Sequence, residues 1–344
     1  MNTQKKVIAN LNKCYAIAPL YYKNRNCFLV AAEKSDPCLL FSDEGELLDT
    51  VWKEPGGVMT MQQIPGSDGA FLATHRFFSP NDSAEAKIVI AEPWEDGWKV
   101  RTLCEAPFVH RFGILTRSGI NWLIVCCLKS GHEYKEDWRF PGAVYAAVLP
   151  SDLSSFNEEH QLKLTLVKDN MLKNHGYSKY KDNGIETAVV GCDSGIFQFI
   201  PPESKDGKWE IRTLSEDACS DAVLLDFDGD GVPELASITP FHGDTLRFYR
   251  KNADGKYELE YTYPEKLEFL HATWACRILG KPSWVVGNRK GNRDSMVITW
   301  QDGSYRFEKF DRGAGAANAL MLQNGTLVLT NRETDEIALY RFSD

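Results

Sequence analysis

Short runs of apolar residues alternate with clusters of Gly, Asp, Asn and Pro along the whole chain, and no long amphipathic helix is visible. Apolar runs of about four to eight residues between such turn residues are typical of β-strands. The runs group into units of about forty to fifty residues with four strands each, a repeat that predicts a β-propeller. Six such units follow one another, at 15–52, 58–104, 109–167, 176–214, 222–263 and 272–310.

A seventh unit, at 317–341, supplies only three strands before the chain stops. The segment Lys6–Ala9 is the predicted donor of the missing outer strand. A terminus that completes the blade of the other terminus removes the last exposed edge of the ring. The sequence therefore predicts an all-β fold, a seven-bladed β-propeller closed by the N-terminal strand, as a single domain over residues 1–344. Six or eight blades are the alternatives.

One predicted hairpin, Ala222–Leu225 with Glu234–Ile238, has an acidic turn that reads DFDGDGVPE. Ca²⁺ takes six to eight oxygen ligands at about 2.3–2.6 Å, and glycines allow a short loop to fold around it. Strands flank this loop where an EF-hand would have helices, and the pattern resembles the FG-GAP (VCBS) repeats of β-propellers. We predict a structural Ca²⁺ here, with an empty acidic turn as the alternative. The candidate ligands are Asp226, Asp228, Asp230 and Glu234.

Composition narrows the possible partners. The net charge is −9 and no run of Lys or Arg occurs, which argues against a nucleic acid. We expect no membrane partner, since there is neither a signal peptide nor an apolar stretch long enough to cross a bilayer. The nine cysteines include no CxxC pair and lie mostly in strand-like runs, which favours reduced, buried thiols and a cytoplasmic location. A homodimer is left open.

Histidine placement is the strongest functional signal in the sequence. The start of each blade's first strand and the end of its second share one face of the ring. Three imidazoles at strand starts, His110, His175 and His271, would suit Zn²⁺ or a similar transition metal with one coordination position open. Alternatively, such side chains only hydrogen-bond neighbouring blades. Six of the seven histidines are predicted on that face: His75, His110, His132 (in an insertion at 130–141), His175, His242 and His271.

Three segments resemble a known family. They are FHGDT at 241–245, LEFLHATW at 267–274 and GNRKGNRD at 287–294. These segments are similar to the propeller domain of aldos-2-ulose dehydratase and 1,5-anhydro-D-fructose dehydratase, and the similarity is best over residues 175–294. The resemblance implies a metal-assisted lyase that removes water from a keto-sugar at the channel mouth. Fungal members carry additional cupin domains, for which we expect no room here.

Elimination of water next to a carbonyl requires a base, an electrophile and an acid. A metal would polarise the carbonyl, and its binding should weaken near pH 6.5 as histidines become protonated. The predicted base is His242 oriented by Asp244, with Tyr134 as the second choice. Arg111 and Arg289 would hold sugar hydroxyls or the oxyanion. Further candidates for sugar binding on this face are His75, Arg76, Lys129, Lys290, Trp138 and Trp274, and core packing is the alternative for both tryptophans.

Two other functions remain open at this stage. One is a non-catalytic FG-GAP propeller that binds a glycan or a protein partner. The other is a sugar epimerase or a lyase acting on uronic-acid polymers, although a polymer substrate is hard to reconcile with a chain that has no export signal.

Overall fold

A computed structural model describes all 344 residues. The chain forms seven four-stranded antiparallel sheets, which confirms the all-β, seven-bladed propeller predicted from the repeats. The structure contains no helix that is long and apolar enough to cross a membrane.

Strand β1 (Asn2–Asn10) comes first, and six blades of four consecutive strands follow it. Blade 1 contains β2 (Cys14–Tyr22), β3 (Arg25–Ala32), β4 (Cys38–Ser42) and β5 (Leu47–Trp52). Blade 2 contains β6 (Met61–Gln63), β7 (Phe71–His75), β8 (Lys87–Trp94) and β9 (Gly97–Glu105). Blade 3 contains β10 (Val109–Arg117), β11 (Ile120–Lys129), β12 (Pro141–Val148) and β13 (Thr165–Met171). Blade 4 contains β14 (Gly176–Asp182), β15 (Ile185–Cys192), β16 (Gly195–Ile200) and β17 (Glu210–Ser215). Blade 5 contains β18 (Asp221–Leu225), β19 (Glu234–Thr239), β20 (Thr245–Lys251) and β21 (Tyr257–Thr262). Blade 6 contains β22 (Leu270–Ile278), β23 (Lys281–Asn288), β24 (Ser295–Gln301) and β25 (Ser304–Asp311).

Blade 7 joins the two ends of the chain. It contains β26 (Ala316–Met321), β27 (Leu327–Asn331) and β28 (Glu336–Ser343), and β1 pairs with β28 as the outer strand. The pairing is longer than the predicted Lys6–Ala9 and extends from Asn2 opposite Ser343 to Asn10 opposite Glu336. N-terminal closure of the ring is therefore confirmed.

The apolar core lies between neighbouring blades. One cluster of buried side chains extends through blades 1, 2 and 3, and others join blade 3 to 4, 4 to 5, 5 to 6, 6 to 7 and 7 to 1. Eight of the nine cysteines are buried in these layers. Because each blade is sandwiched between two others, the first strands of neighbouring blades contact one another at the axis. Residues far apart in sequence therefore meet at the ends of these inner strands.

Candidate functional site: a buried histidine cluster

Four histidines from four blades meet at one end of the axis. His110 lies on β10 and His271 on β22, while His175 immediately precedes β14 and His242 lies between β19 and β20. The His175 ring is stacked on His110 with centroids 4.2 Å apart, and it lies 4.7 Å from His242 and 5.2 Å from His271. Four of the six histidines predicted for this face therefore meet, with His175 at their centre, whereas His132 lies against Phe108.

β-Bulges present several of these side chains. The pairing register breaks between Cys14 and Ala16, between Val109 and Arg111 and between Leu270 and Ala272. The residues left out of the ladders are Tyr15, His110 and His271. A bulge bends its strand and redirects the side chain of the extra residue. Tyr15 thereby joins the histidines, although nothing in the sequence pattern marked it.

Hydrogen bonds fix which ring nitrogen of each histidine carries hydrogen. The Nδ1 atoms lie near oxygens that can only accept: 3.1 Å from the carbonyl of His175 for His110, 2.7 Å from the carbonyl of Ala317 for His271, and 2.9 Å from Asp221 Oδ2 for His175. Each Nδ1–H therefore donates, and each Nε2 has a free lone pair. This is the arrangement in metal-binding histidines, where an outer oxygen orients the ring.

The Nε2 atoms face one another and the Tyr15 hydroxyl. His242 Nε2 lies 3.1 Å from His175 Nε2. The Tyr15 hydroxyl lies 2.8 Å from His271 Nε2 and 3.3 Å from His110 Nε2. Since this hydroxyl has one hydrogen, it can donate to only one of its two neighbours at a time.

His175, His242 and His271 form the group that could hold a metal, since their ligand atoms all lie within 4.8 Å of one another. The predicted set contained His110 in place of His242. In the structure, His110 is stacked on His175 and its Nε2 lies 3.3 Å from the Tyr15 hydroxyl. The group therefore shares His175 and His271 with the predicted set, and His110 as a ligand stays a prediction.

His242 does not have the predicted carboxylate partner. Asp244 instead accepts hydrogen bonds from Lys266 (2.9 Å) and Thr245 (2.7 Å). The His242 ring is held between Phe241 and Phe269, with centroid distances of 4.0 and 4.3 Å. The pairing of His242 with Asp244 as an oriented base is therefore wrong, and Asp221 on His175 is the carboxylate that orients an imidazole here.

Burial determines the protonation of the cluster. His175 and His271 are 1% exposed, and Tyr15 is 2% exposed. Burial, reinforced by nearby positive charges, lowers the pKa of His110, His175, His242 and His271 well below the usual value. The rings are therefore neutral around pH 6.5, and the loss of metal binding near that pH stays a prediction that this burial opposes. Burial also raises the pKa of Tyr15 to about 12, so its hydroxyl remains a donor.

Two predicted arginines lie beside the cluster. Arg111 donates to the Met59 carbonyl (2.6 Å) and to Asn318 Oδ1 (3.1 Å), and its guanidinium lies 5.8 Å from the centroid of the Tyr15 ring. Arg289 forms an ion pair with Glu333 at 2.8 Å. Arg289 and Lys290 both lie over the Phe269 ring, at 5.0 and 5.1 Å. These cations surround the histidines at the end of the channel.

The insertion at 130–141, after β11, packs beside the histidine cluster through aromatic rings. Trp138 is edge-on to Phe241 at 5.5 Å, and the Lys129 ammonium lies 4.6 Å from the Trp138 ring. Tyr134, the second candidate base, is 58% exposed, and its ring contacts Arg139. Trp138 and Lys129 are thus positioned beside the cluster, whereas Tyr134 faces solvent.

Three predicted substrate-binding residues lie apart from the cluster. His75 is 3% exposed, its ring is 4.6 Å from that of Trp52, and burial lowers its pKa to about 3. Arg76 forms an ion pair with Glu85. Trp274 packs against the apolar layers of blades 1, 6 and 7, so core packing accounts for it.

The acidic turn lies at the other end of the β18–β19 hairpin from His242. Asp226, Asp228 and Glu234 form a second group that could hold a metal. The Arg250 guanidinium already lies among these carboxylates, 2.8 Å from Asp228, 3.0 Å from Glu234 and 3.8 Å from Asp230. Glu234 is 1% exposed and burial raises its pKa to about 7. Calcium at this turn therefore remains a prediction, with Arg250 as an internal competitor for the same oxygens.

A groove of 620 Å³ lies elsewhere, between blades 4 and 5. Its lining is mainly polar and includes Tyr180, Arg212 and Tyr257. No sequence motif pointed to it.

The whole chain resembles solved β-propellers. No known protein-family model matches the sequence, and no curated protein matches it. A streptogramin B lyase aligns with a TM-score of 0.62 and 14% identity, over 100% of this chain and 99% of the lyase. The WD40 β-propeller domain of Doa1 aligns with a TM-score of 0.61 and 11% identity, over 99% of this chain and 98% of that domain. A glucose dehydrogenase aligns with a TM-score of 0.54 and 13% identity, over 99% of this chain and 100% of the enzyme.

At these identities the similarity shows the fold alone. The chain folds as a seven-bladed β-propeller, and the solved structures that align with it over its whole length differ in function: a lyase, a WD40 domain and a dehydrogenase. The resemblance to FG-GAP repeats and to keto-sugar dehydratases stays a prediction from the sequence motifs.

Proposed function

We propose that this protein is a metal-dependent carbon–oxygen lyase that removes water from a keto-sugar such as 1,5-anhydrofructose or an aldos-2-ulose. The observation that carries the proposal is the convergence of His175, His242 and His271 on one point with ligand atoms within 4.8 Å. The existence of a lyase with the same fold is compatible with it.

The donor set fits Zn²⁺ or a similar transition metal. Such ions take neutral imidazole nitrogens at about 2.0–2.1 Å, and a catalytic zinc keeps a fourth position open beside three protein ligands. The imidazoles are neutral because they are buried, and Asp221 (2.9 Å from His175) and the Ala317 carbonyl (2.7 Å from His271) hold two of the rings from behind. A bound metal would polarise the carbonyl of the sugar.

Tyr15 and His110 supply the proton transfers in this proposal. His110 Nε2 removes the proton on the carbon next to the carbonyl. As the carbon–carbon double bond forms, the bond to the leaving hydroxyl breaks and the Tyr15 O–H protonates it to water. The proton on His110 then returns to the Tyr15 oxygen across the 3.3 Å contact, which restores both groups. Arg111 holds the developing negative charge. Phe241 and Phe269 cover His242 and must move aside to admit a sugar.

The proposal is tested with protein purified without chelators. Metal content is measured, and the ultraviolet absorbance of the enone product is followed with 1,5-anhydrofructose and with an aldos-2-ulose. His271→Ala should release the metal and abolish elimination, whereas His160→Ala, in an exposed loop, should change neither. Metal-free protein that turns over normally would refute the metal role. Metal-loaded protein inert toward every keto-sugar tried would refute the lyase.

A non-catalytic binding propeller is the second candidate. The near-complete burial of His175 and His271, 1% exposed each, favours it, and so does the open polar groove between blades 4 and 5. This function predicts glycan or protein binding that is lost on Arg212→Ala and unaffected by His271→Ala.

A further inference from the structure

Positive charge is concentrated around the histidine cluster although the chain as a whole carries a net charge of −9. The cations lie against aromatic rings of the cluster or of its surroundings. Lys129 and Lys173 lie on Trp138, at 4.6 and 5.8 Å, and Trp138 contacts Phe241. On the opposite side of His242, two more cations lie on Phe269, and Arg111 lies on Tyr15. The five cations are Arg111, Lys129, Lys173, Arg289 and Lys290.

Two of these cations are neutralised within the protein. Arg289 is paired with Glu333 at 2.8 Å, and Lys173 with Asp193 at 2.9 Å. Asp221, the acidic residue closest to the histidines, lies 2.9 Å from His175 Nδ1 and is committed to that ring. The carboxylates around the cluster are therefore already engaged.

Arg111, Lys129 and Lys290 have no carboxylate within ion-pair distance. The oxygens that accept hydrogen bonds from Arg111 belong to Met59 and Asn318 and are neutral. Arg111 is half-buried and lies against Tyr15, whereas Lys290 is exposed above Phe269. A guanidinium held in place by neutral groups presents its remaining charge to whatever enters the site.

Of these three cations, Lys129 is the one whose burial costs the most free energy. Its side chain is fully buried at 0% exposure, and the ammonium donates one hydrogen bond, to Asn81 Oδ1 at 2.8 Å. The neighbouring Asp137 is already bound by Arg139, at 2.8 and 2.9 Å. Burial lowers the pKa of Lys129, and the negative charges of Asp137 and Glu136 offset this only in part. A buried cation is unfavourable unless it is paired. An anion that binds here would therefore offset the free-energy cost of burying the Lys129 ammonium.

We infer that the substrate of this site carries an anionic group, a carboxylate or a phosphate, which Arg111, Lys129 and Lys290 attract and hold. This inference rests on the proposed function and narrows the substrate from a neutral keto-sugar to a sugar acid or sugar phosphate. Arg111 lies against the Tyr15 ring. Lys129 contacts Trp138, which packs on Phe241, and Lys290 contacts Phe269; Phe241 and Phe269 lie on either side of His242.

Binding to the zinc-loaded full-length protein tests the inference. Isothermal titration is performed with D-glucuronate, D-glucose 6-phosphate and D-glucose, which share one ring and differ in charge. Hydrogen bonds to an ionised group are about twice as strong as neutral ones, so at least one anion should bind about tenfold tighter than glucose. Raising the ionic strength should reduce that difference. Preference for glucuronate identifies a carboxylate, and preference for the phosphate identifies a phosphate ester.

Charge-removing variants locate the anion. Lys290→Gln and Lys129→Met, which keeps an unbranched apolar stem, should each lower anion affinity and leave glucose affinity unchanged. Lys205→Gln removes an unpaired, exposed charge on the loop between β16 and β17 and should have no effect. Equal affinity for all three sugars would overturn the inference, and so would anion binding that both lysine variants leave intact. Metal titration of the same samples is independent of this outcome, because protein that binds no metal refutes the proposed function whether or not anions bind.

Discussion

Replacing Tyr15 with Phe should change stability and metal affinity in opposite directions. The Tyr15 hydroxyl lies 2.8 Å from His271 Nε2, and that lone pair is the one a metal requires. In metal-free protein the hydroxyl satisfies this buried acceptor. When a metal binds, the same hydrogen bond must be given up. Tyr15 therefore stabilises the empty site and competes with the ion.

The geometry sets the size of both effects. Removing the partner of a buried acceptor costs about 1–3 kcal/mol, and His271 is 1% exposed, so metal-free Tyr15→Phe should be less stable by about that amount. A bound metal relieves the unsatisfied lone pair and recovers most of the loss. Metal affinity should consequently rise by about 1–2 kcal/mol, a factor of about 5 to 30.

Two measurements on the same samples check this prediction. Denaturant unfolding of the metal-free proteins gives the change in stability, and zinc titration against a competing chelator gives the change in affinity. Tyr249→Phe is the matched control. Tyr249, on β20 of blade 5, is also 2% exposed, and its hydroxyl donates to Asp217 at 2.6 Å. The control should lose stability and keep its zinc affinity. Unchanged or weaker zinc binding by Tyr15→Phe would show that His271 Nε2 is not a ligand.

Three further predictions follow from other parts of the ring. Deleting residues 1–10 should expose the edge of β28 and cause aggregation or a large drop in melting temperature, and a truncated protein as stable as the parent would contradict closure by β1. Asp228→Ala should lower the melting temperature in calcium while leaving turnover intact in the cold; activity lost at unchanged stability would contradict a purely structural role for the turn. Burial lowers the pKa of His175 below its unfolded value, so its contribution to stability is complete above about pH 6.5 and is lost as pH falls toward the folded pKa. Zinc affinity should accordingly change little between about pH 7.5 and 6, and a steep loss near 6.5 would show that the imidazoles are solvated.

The architecture could be read from the sequence because propeller repeats are local. Each blade is an up-and-down sheet of consecutive strands, so apolar runs and turn residues were enough to place the units and to identify the missing strand of blade 7. Because consecutive strands run in opposite directions, the starts of first strands share one face, which also placed His110, His175 and His271 at one end of the axis.

The arrangement within the cluster could not be predicted because bulges decide it. The register breaks beside Tyr15 and His110 leave no mark in the apolar pattern, yet they determine that Tyr15 faces the histidines and that His110 faces Tyr15. The exchange of His110 for His242 in the metal group has this origin. The pairing of Asp221 with His175 could not be predicted either, because it depends on how blades 4 and 5 pack.

The contact between Tyr15 and His271 spans 256 positions of the chain. The Tyr15 carbonyl also accepts hydrogen bonds from Asn318 and Thr330, both at 2.9 Å, so blade 7 holds the strand that delivers the hydroxyl. During synthesis, the strand that carries Tyr15 cannot be held in this way until blade 7 has been made. Contacts of such long range also form late in folding. Blade 7 also orients the His271 ring, whose Nδ1 lies 2.7 Å from the Ala317 carbonyl. A chain that lacks blade 7 should therefore bind a metal at this centre less tightly than the full-length protein.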